Sequence, residues 1–154
     1  MKAISLWQPW ATLVVLGVKT YETRSWHPNG YRGPIAIHAA KRWTKEEAHF
    51  LGQLQSTFPA IKGLLEKHNI TTPPLGCIVG TALITDCMST TSALRQGISE
   101  IEIACGDFSP NRWAWRLEQA EMFSEPFPCK GHQGLFYWNR STAELIRKLK
   151  ENTL

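Results

Sequence analysis

The order of its apolar runs constrains this chain more than any other feature. Stretches with β-type patterning follow one another through short, unequal connections, and strand and helix do not alternate regularly. A doubly wound sheet needs a crossover helix after each strand, so that architecture is excluded. An α+β fold fits instead, as a small mixed barrel of about five or six strands with flanking helices. With 154 residues there is enough chain for one core, and 1–154 reads as a single domain without internal repeats.

Lys2 to Leu6 reads as a short strand leading into Trp7-Gln8-Pro9-Trp10. Pro9 suits the first turn of a helix, where its missing N–H has no partner to lose. Trp10, Leu13, Val14 and Leu16 form that helix's apolar stripe, and Gly17 is placed to end it in a left-handed cap. Lys19 to Ser25 has strand composition, His27 to Gly33 is a loop, and Pro34 to Ala40 is a further strand with Ile35 and Ile37 inward. A capping box from Thr44 to Glu47 opens a helical insertion over about residues 44–68, whose second helix spans Pro59 to Lys67. Gly76 to Asp86 is a long, largely buried strand. Residues 88–110 are rich in Ser, Thr and Gly and read as an irregular excursion with room for one helical turn. In Arg112 to Phe123, Trp113, Trp115 and Leu117 alternate with Arg112, Ala114 and Arg116. Gly134 to Trp138 is the last strand. A second capping box, Ser141 to Glu144, opens a C-terminal helix expected to pack through Leu145, Ile146 and Leu149.

The formal charge is +4, and its location matters more than its size. Residues 1–50 hold seven Lys/Arg against three Asp/Glu, whereas residues 51–154 carry ten of each. A positive field near the N-terminal elements would attract phosphate, although a mildly basic protein need not bind a polyanion. Seven tryptophans exceed what a core of this size needs, so several are candidates to line a cleft. Cys77, Cys87, Cys105 and Cys129 form no CxxC pair and have no His at zinc-ligand spacing, so no metal or cofactor is called for. Free thiols suit a reducing cytoplasm. The apolar opening is interrupted by Gln8-Pro9 and followed by Lys19 to Arg24 instead of a small-residue cleavage site, which argues against export; it is also too short to span a membrane.

The densest polar cluster is Gly17, Lys19, Glu22 and Arg24. Glu22 and Arg24 stand two apart on one strand face. A Lys beside a carboxylate and an Arg can bind phosphate, or the Lys can act as a base when burial lowers its pKa. The same residues can also make a plain ion-pair ladder on an edge strand. Trp7 and Gln8 can stack on a base and read its edge, or Trp7 can be core. His38 ends a strand beside small residues, with Lys41 or Arg42 available to phosphate, or the segment is a packed strand end with a solvated turn. Arg112 and Arg116 can extend a phosphate track or pair with Glu118 and Glu102 at the surface. Gly131 to Gly134 is a tight turn in which His132 could shuttle a proton.

Ser5-Leu6-Trp7-Gln8-Pro9-Trp10-Ala11 and Gly17-Val18-Lys19-Thr20-Tyr21-Glu22-Thr23-Arg24 together resemble the start of ASCH domains, whose hallmark is a G-x-K-x-x-x-x-R motif. Similarity continues through Ile37 to Lys41, Leu75 to Gly80, Arg112 to Trp115 and Gly131 to Leu135. The resemblance implies a PUA-like barrel with a cleft between the first helix and the Lys19–Arg24 strand. Members of the family have been linked to RNA binding, transcriptional coactivation, ribonuclease activity and amide hydrolysis of N4-acetylcytidine. The hydrolase branch uses a motif Lys, a Thr and a distant Glu. Lys19 matches the Lys, while Glu22 stands where that branch has Thr, with Thr20 and Thr23 alongside.

The leading expectation is therefore a module whose cleft binds RNA or a nucleoside through Trp7, Gln8, Lys19, Glu22, Arg24, His38 and Lys41. A second expectation is a metal-independent hydrolase in which Glu22 takes a proton and Lys19 or Arg24 stabilises an oxyanion, with His38 at hand for a ribonuclease reaction. A third is an adaptor that docks a protein through exposed tryptophans.

Overall fold

The computed structural model describes residues 1–153. Six strands, β1 (Lys2–Leu6), β2 (Tyr21–Arg24), β3 (Gly33–Ala39), β4 (Cys77–Ser89), β5 (Trp113–Pro128) and β6 (Phe136–Tyr137), form one sheet in the order β2-β5-β4-β3-β1-β6. Only β1 and β3 run parallel; β1–β6, β2–β5, β3–β4 and β4–β5 are antiparallel. The fold is α+β, as the irregular element order requires. The ladder is open, with β2 and β6 at its two edges, so the strands do not close into the expected barrel. Register shifts interrupt the ladder once within β3–β4 and three times within β4–β5.

Helix α1 (Trp10–Val15) packs on one face of the sheet, where Ala11, Val14 and Val15 join Ile4, Leu6, Ile35, Ile37, Val79, Ile84, Trp115 and Leu117. That approach is intimate at Gly80. A Cβ there would lie 2.1 Å from the Glu121 carbonyl oxygen and 2.7 Å from Val15 Cγ1, so only glycine lets β4, β5 and α1 meet. The other side of α1 presents Leu13 to Leu51, Leu54, Ile61, Leu65 and Cys105. Those residues come from α2 (Lys45–Thr57), α3 (Pro59–Lys67) and α5 (Glu100–Cys105). On the opposite sheet face Ala3, Ala36, Ile78, Phe123, Phe127 and Trp138 form a second core.

Two helical expectations need correction. Residues 88–110 are more ordered than their composition suggests: α4 (Thr90–Gln96) and α5 each begin at a serine N-cap, Ser89 accepting from the Ser92 amide and Ser99 from the Glu102 amide. The last helix, α6 (Arg140–Glu151), is capped by Asn139 instead of Ser141. The three expected to pack do not: Leu145, Ile146 and Leu149 are 58%, 48% and 58% exposed, and only the small Ala143 touches the core. Arginines hold the helix instead, Arg147 lying 3.7 Å from the Phe127 ring centroid and bonding the Glu125 and Pro126 carbonyls, and Arg140 lying over Phe123. Among the described residues no helix is long and apolar enough to cross a membrane, and Cys77, Cys87, Cys105 and Cys129 are all free thiols.

The Thr44 capping box forms as expected. Hydrogen bonding to the Thr44 hydroxyl, and then to Arg42, lowers the Glu47 pKa from its ordinary 4.5 to about 2. A lowered carboxylate pKa favours folding above the unfolded value, and the contribution disappears as pH falls through the folded one. Stability should therefore decline between about pH 4.5 and pH 2, less steeply in Glu47→Gln. Denaturant midpoints measured across that window check this.

Candidate nucleic-acid interface

The candidate site starts at the end of α1. Gly17, at φ +76°, turns the chain so that the Val18 and Lys19 amides both donate to the Leu13 carbonyl. This return places Lys19 under α5 and β2, with 2% of its surface exposed. Its Nζ donates to the Tyr21 carbonyl and lies 3.7 Å from Glu22 Oε2. Strand alternation then puts Glu22 and Arg24 on one face, where Arg24 Nε donates to Glu22 Oε1 at 2.8 Å and Nη2 donates to the Ser5 carbonyl at 2.8 Å. One buried carboxylate thus holds two cations, and the cluster keeps a net positive charge.

This cluster forms part of the wall of a cleft of about 590 Å³. Ser5 and Leu6 come from the end of β1, Trp7 from the residue that follows it, and Trp10 from α1. The wall facing them is the segment Ala104 to Asp107, with Arg112. Trp7 is 52% exposed, and the Arg42 guanidinium lies 4.3 Å from its ring centroid. An open cleft with an indole at its rim and paired cations on its wall suits a planar, anionic ligand.

Residues 88–110 read as an irregular excursion, yet the segment 102–112 at its end is tied at three points to Thr20 and β2. Glu102 Oε1 accepts from the Thr20 amide and from Thr20 Oγ1, the latter at 2.6 Å. The Asp107 amide donates to Thr23 Oγ1 at 3.0 Å, and Arg112 Nη2 donates to the Thr23 carbonyl at 3.1 Å. Glu102 is buried, so it is not a surface partner for Arg112 or Arg116. Arg112 pairs with Asp107 at 3.4 Å and lines the cleft, whereas Arg116 pairs with Glu118 away from it. The Asp107 pKa is lowered chiefly by hydrogen bonds from Ser109 and further by Arg112. Cys105 also lines the cleft, but burial pushes its thiol up to about 11, which keeps it protonated at neutral pH and unsuited to nucleophilic attack. The Ser99-to-Glu102 spacing is the sequence signal for this segment.

Three of the residues expected to touch a ligand stand elsewhere. Gln8 is fully buried, and its amide is spent on Thr12 and the Pro74 carbonyl, so it cannot read a base edge. His38 is buried behind Ser5: Nε2 donates to the Cys129 carbonyl at 2.8 Å, and the other ring nitrogen pairs with Ser5 Oγ at 2.9 Å. Burial lowers its pKa, so it is a neutral strut rather than a proton-transfer group in the cleft. Lys41 is exposed and lies along Gly76, outside the cleft lining.

A family model described as the ASCH domain matches residues 4–127. The chain belongs to the ASCH domain family. The match contains the motif Gly17, Lys19, Glu22 and Arg24 together with the 102–112 wall. This ASCH domain is 36% identical over 90 residues to activating signal cointegrator 1 of Homo sapiens and to the protein of that name in Mus musculus. The aligned part is 56% of this chain but 14% of either relative. Among solved structures it is similar to the ASCH protein of Zymomonas mobilis, with a TM-score of 0.54 at 16% identity over 96% of this chain and 94% of that one. A single-residue variant of the same protein gives a TM-score of 0.55 at 16% identity, covering 96% of both chains. At that identity the likeness concerns the fold.

Replacing Glu102 with alanine strands the Thr20 amide and hydroxyl. The expected loss is about 1–3 kcal/mol of stability. Amide hydrogen exchange should accelerate selectively at Thr20 and Asp107, since the 102–107 wall loses its anchor; unchanged exchange there would show that Glu102 does not hold it.

Proposed function

We propose that this ASCH domain binds RNA or a modified nucleoside in the cleft beside its motif. The observation that supports it most is the Lys19–Glu22–Arg24 cluster on the cleft wall, two cations held by one carboxylate. Burying charge costs several kcal/mol per ion unless it is paired, so a chain has little reason to bury this cluster beneath an open cleft for stability alone. An anion brought to the cleft meets the surplus cation, and Trp7 offers a face for stacking at little ordering cost. The excess of basic residues in positions 1–50 agrees with this placement.

A hydrolytic use of the same cleft is the second reading. Glu22 and Lys19 both line it, so a carboxylate that can take a proton and a cation that can stabilise an oxyanion are neighbours. Thr20 gives its hydroxyl to Glu102 and does not line the cleft, so it is a poor match for the threonine of the amide-hydrolysing branch.

Fluorescence anisotropy with a short single-stranded RNA tests the first reading. Lys19→Gln and Arg24→Gln, each checked for an intact thermal transition, should weaken binding by about tenfold or more. The slope of log affinity against log salt should also become shallower by about 0.7 for each phosphate left without its cation. Wild-type binding by both variants across the salt titration would refute the cleft assignment. Mass spectrometry of the same mixtures, with acylated and methylated nucleosides included, addresses the second reading: product formed by the wild type and not by a folded Glu22→Gln variant would make the domain a hydrolase.

A further inference from the structure

A second compartment, of about 430 Å³, adjoins the cleft. It is lined by Ser5, Trp7, Arg24, Trp26, Ala40 and the turn His132 to Gly134. Ser5, Trp7 and Arg24 line the cleft as well, so the two spaces share a wall that carries one cation and one exposed indole. The Arg24 Nε and Nη2 are engaged by Glu22 and the Ser5 carbonyl, while Nη1 has no hydrogen-bond partner among the described residues. Its spare donors therefore belong to the boundary between the compartments.

The second compartment has fixed walls. Trp26 stands edge-on to the buried Trp115, with ring centroids 4.9 Å apart and an interplanar angle of 80°, which sets its plane. The Arg24 guanidinium lies 6.0 Å from the Trp26 ring. On the opposite side, Gly131 approaches β1 and β3 so closely that a Cβ would lie 2.7 Å from Ser5 Oγ and 2.6 Å from His38 Cε1. The His38 ring joins Ser5 to the Cys129 carbonyl and so holds this turn in place. His132 and Gln133 are exposed at its tip. A primary amide offers both a donor and an acceptor, the pair needed to read a base edge.

A free nucleoside fills one compartment and brings no anion to Arg24. Two linked nucleotides bring two bases with one phosphodiester between them, which fits two aromatic-walled spaces with one cation between them. We infer that this domain takes single-stranded RNA two nucleotides at a time. The phosphodiester rests on Arg24, one base lies in the cleft against Trp7, and its neighbour lies between Trp26 and the His132–Gly134 turn. This rests on the reading that the cleft takes RNA, and it names the ligand as a linked pair rather than a single nucleoside.

The test compares 5′-mononucleotides, dinucleoside monophosphates, the same dinucleotides lacking one base, and a short RNA, titrated into the whole chain by calorimetry. Dinucleotides should bind at least about tenfold more tightly than either constituent mononucleotide, and removal of one base should abolish most of that gain. In Gln133→Ala and His132→Ala the ratio of dinucleotide to mononucleotide affinity should fall toward one. Equal affinity of mononucleotides and dinucleotides would overturn the two-base site while leaving RNA binding in the first cleft standing. Absence of binding by every ligand, the RNA included, would overturn both readings.

Discussion

Glu22 sits where charge must be balanced or expelled. It is a buried carboxylate on a short edge strand, flanked by a lysine that is almost wholly out of solvent and by an arginine fixed to the end of β1. Removing its charge would leave Lys19 without an anionic partner, and an uncompensated buried charge is among the most destabilising changes a protein can suffer. The geometry in turn depends on the left-handed turn at Gly17, which brings the Val18 and Lys19 amides back to the Leu13 carbonyl and leads the chain into β2. The candidate functional face of this ASCH domain is therefore built around one ion cluster, and the surrounding elements serve to position it.

Those elements act through polar ties as well as through the cores, which Cys105 and Phe108 join. The 102–112 segment reaches β2 by the bonds to Thr20 and Thr23, and the 129–134 segment reaches β1 through His38 and Ser5. Each tie fixes one side of the space around Arg24. The apolar cores lie behind them, with Trp115 on one side of the sheet and Ile78 on the other. Such a division leaves Trp7, His132 and Gln133 exposed at the rim of a site whose walls are tied to the sheet.

Much of this is legible in the sequence because local rules govern it. Gly17, the Thr44–Glu47 box and the Pro59 helix start each act within one turn of chain and stand where the spacing puts them, while Pro9 caps α1 one residue before its first turn. The Glu22–Arg24 pairing follows from strand periodicity in the same way. What sequence reasoning misses is non-local. Gln8 has the composition of a base reader, but its amide is consumed by Thr12 and by Pro74, whose approach cannot be read from neighbouring residues. His38 has the position of a ligand-binding group because strand ends often face a site, yet the 129–134 segment covers it. Helices of six and seven residues, such as α5 and α4, are too short for apolar periodicity to emerge, so only their serine caps betray them. In α6 the apolar stripe correctly signals an amphipathic helix but not a packed one, since a stripe does not state that its partner lies in the same chain. An open ladder in place of a closed barrel is likewise a matter of which edges meet, and that is set by long-range geometry.

If nucleic acid enters along the Lys19–Glu22–Arg24 wall, nitrogen-edited NMR on the whole wild-type chain will register it residue by residue. Titration with a short single-stranded RNA should move the indole N–H of Trp7 and the Arg24 Nε–H resonance, together with amides of residues 104–107, while the indole of buried Trp138 stays still. Shifts concentrated on α6, or spread over the surface without saturating at the cleft, would contradict entry along that wall.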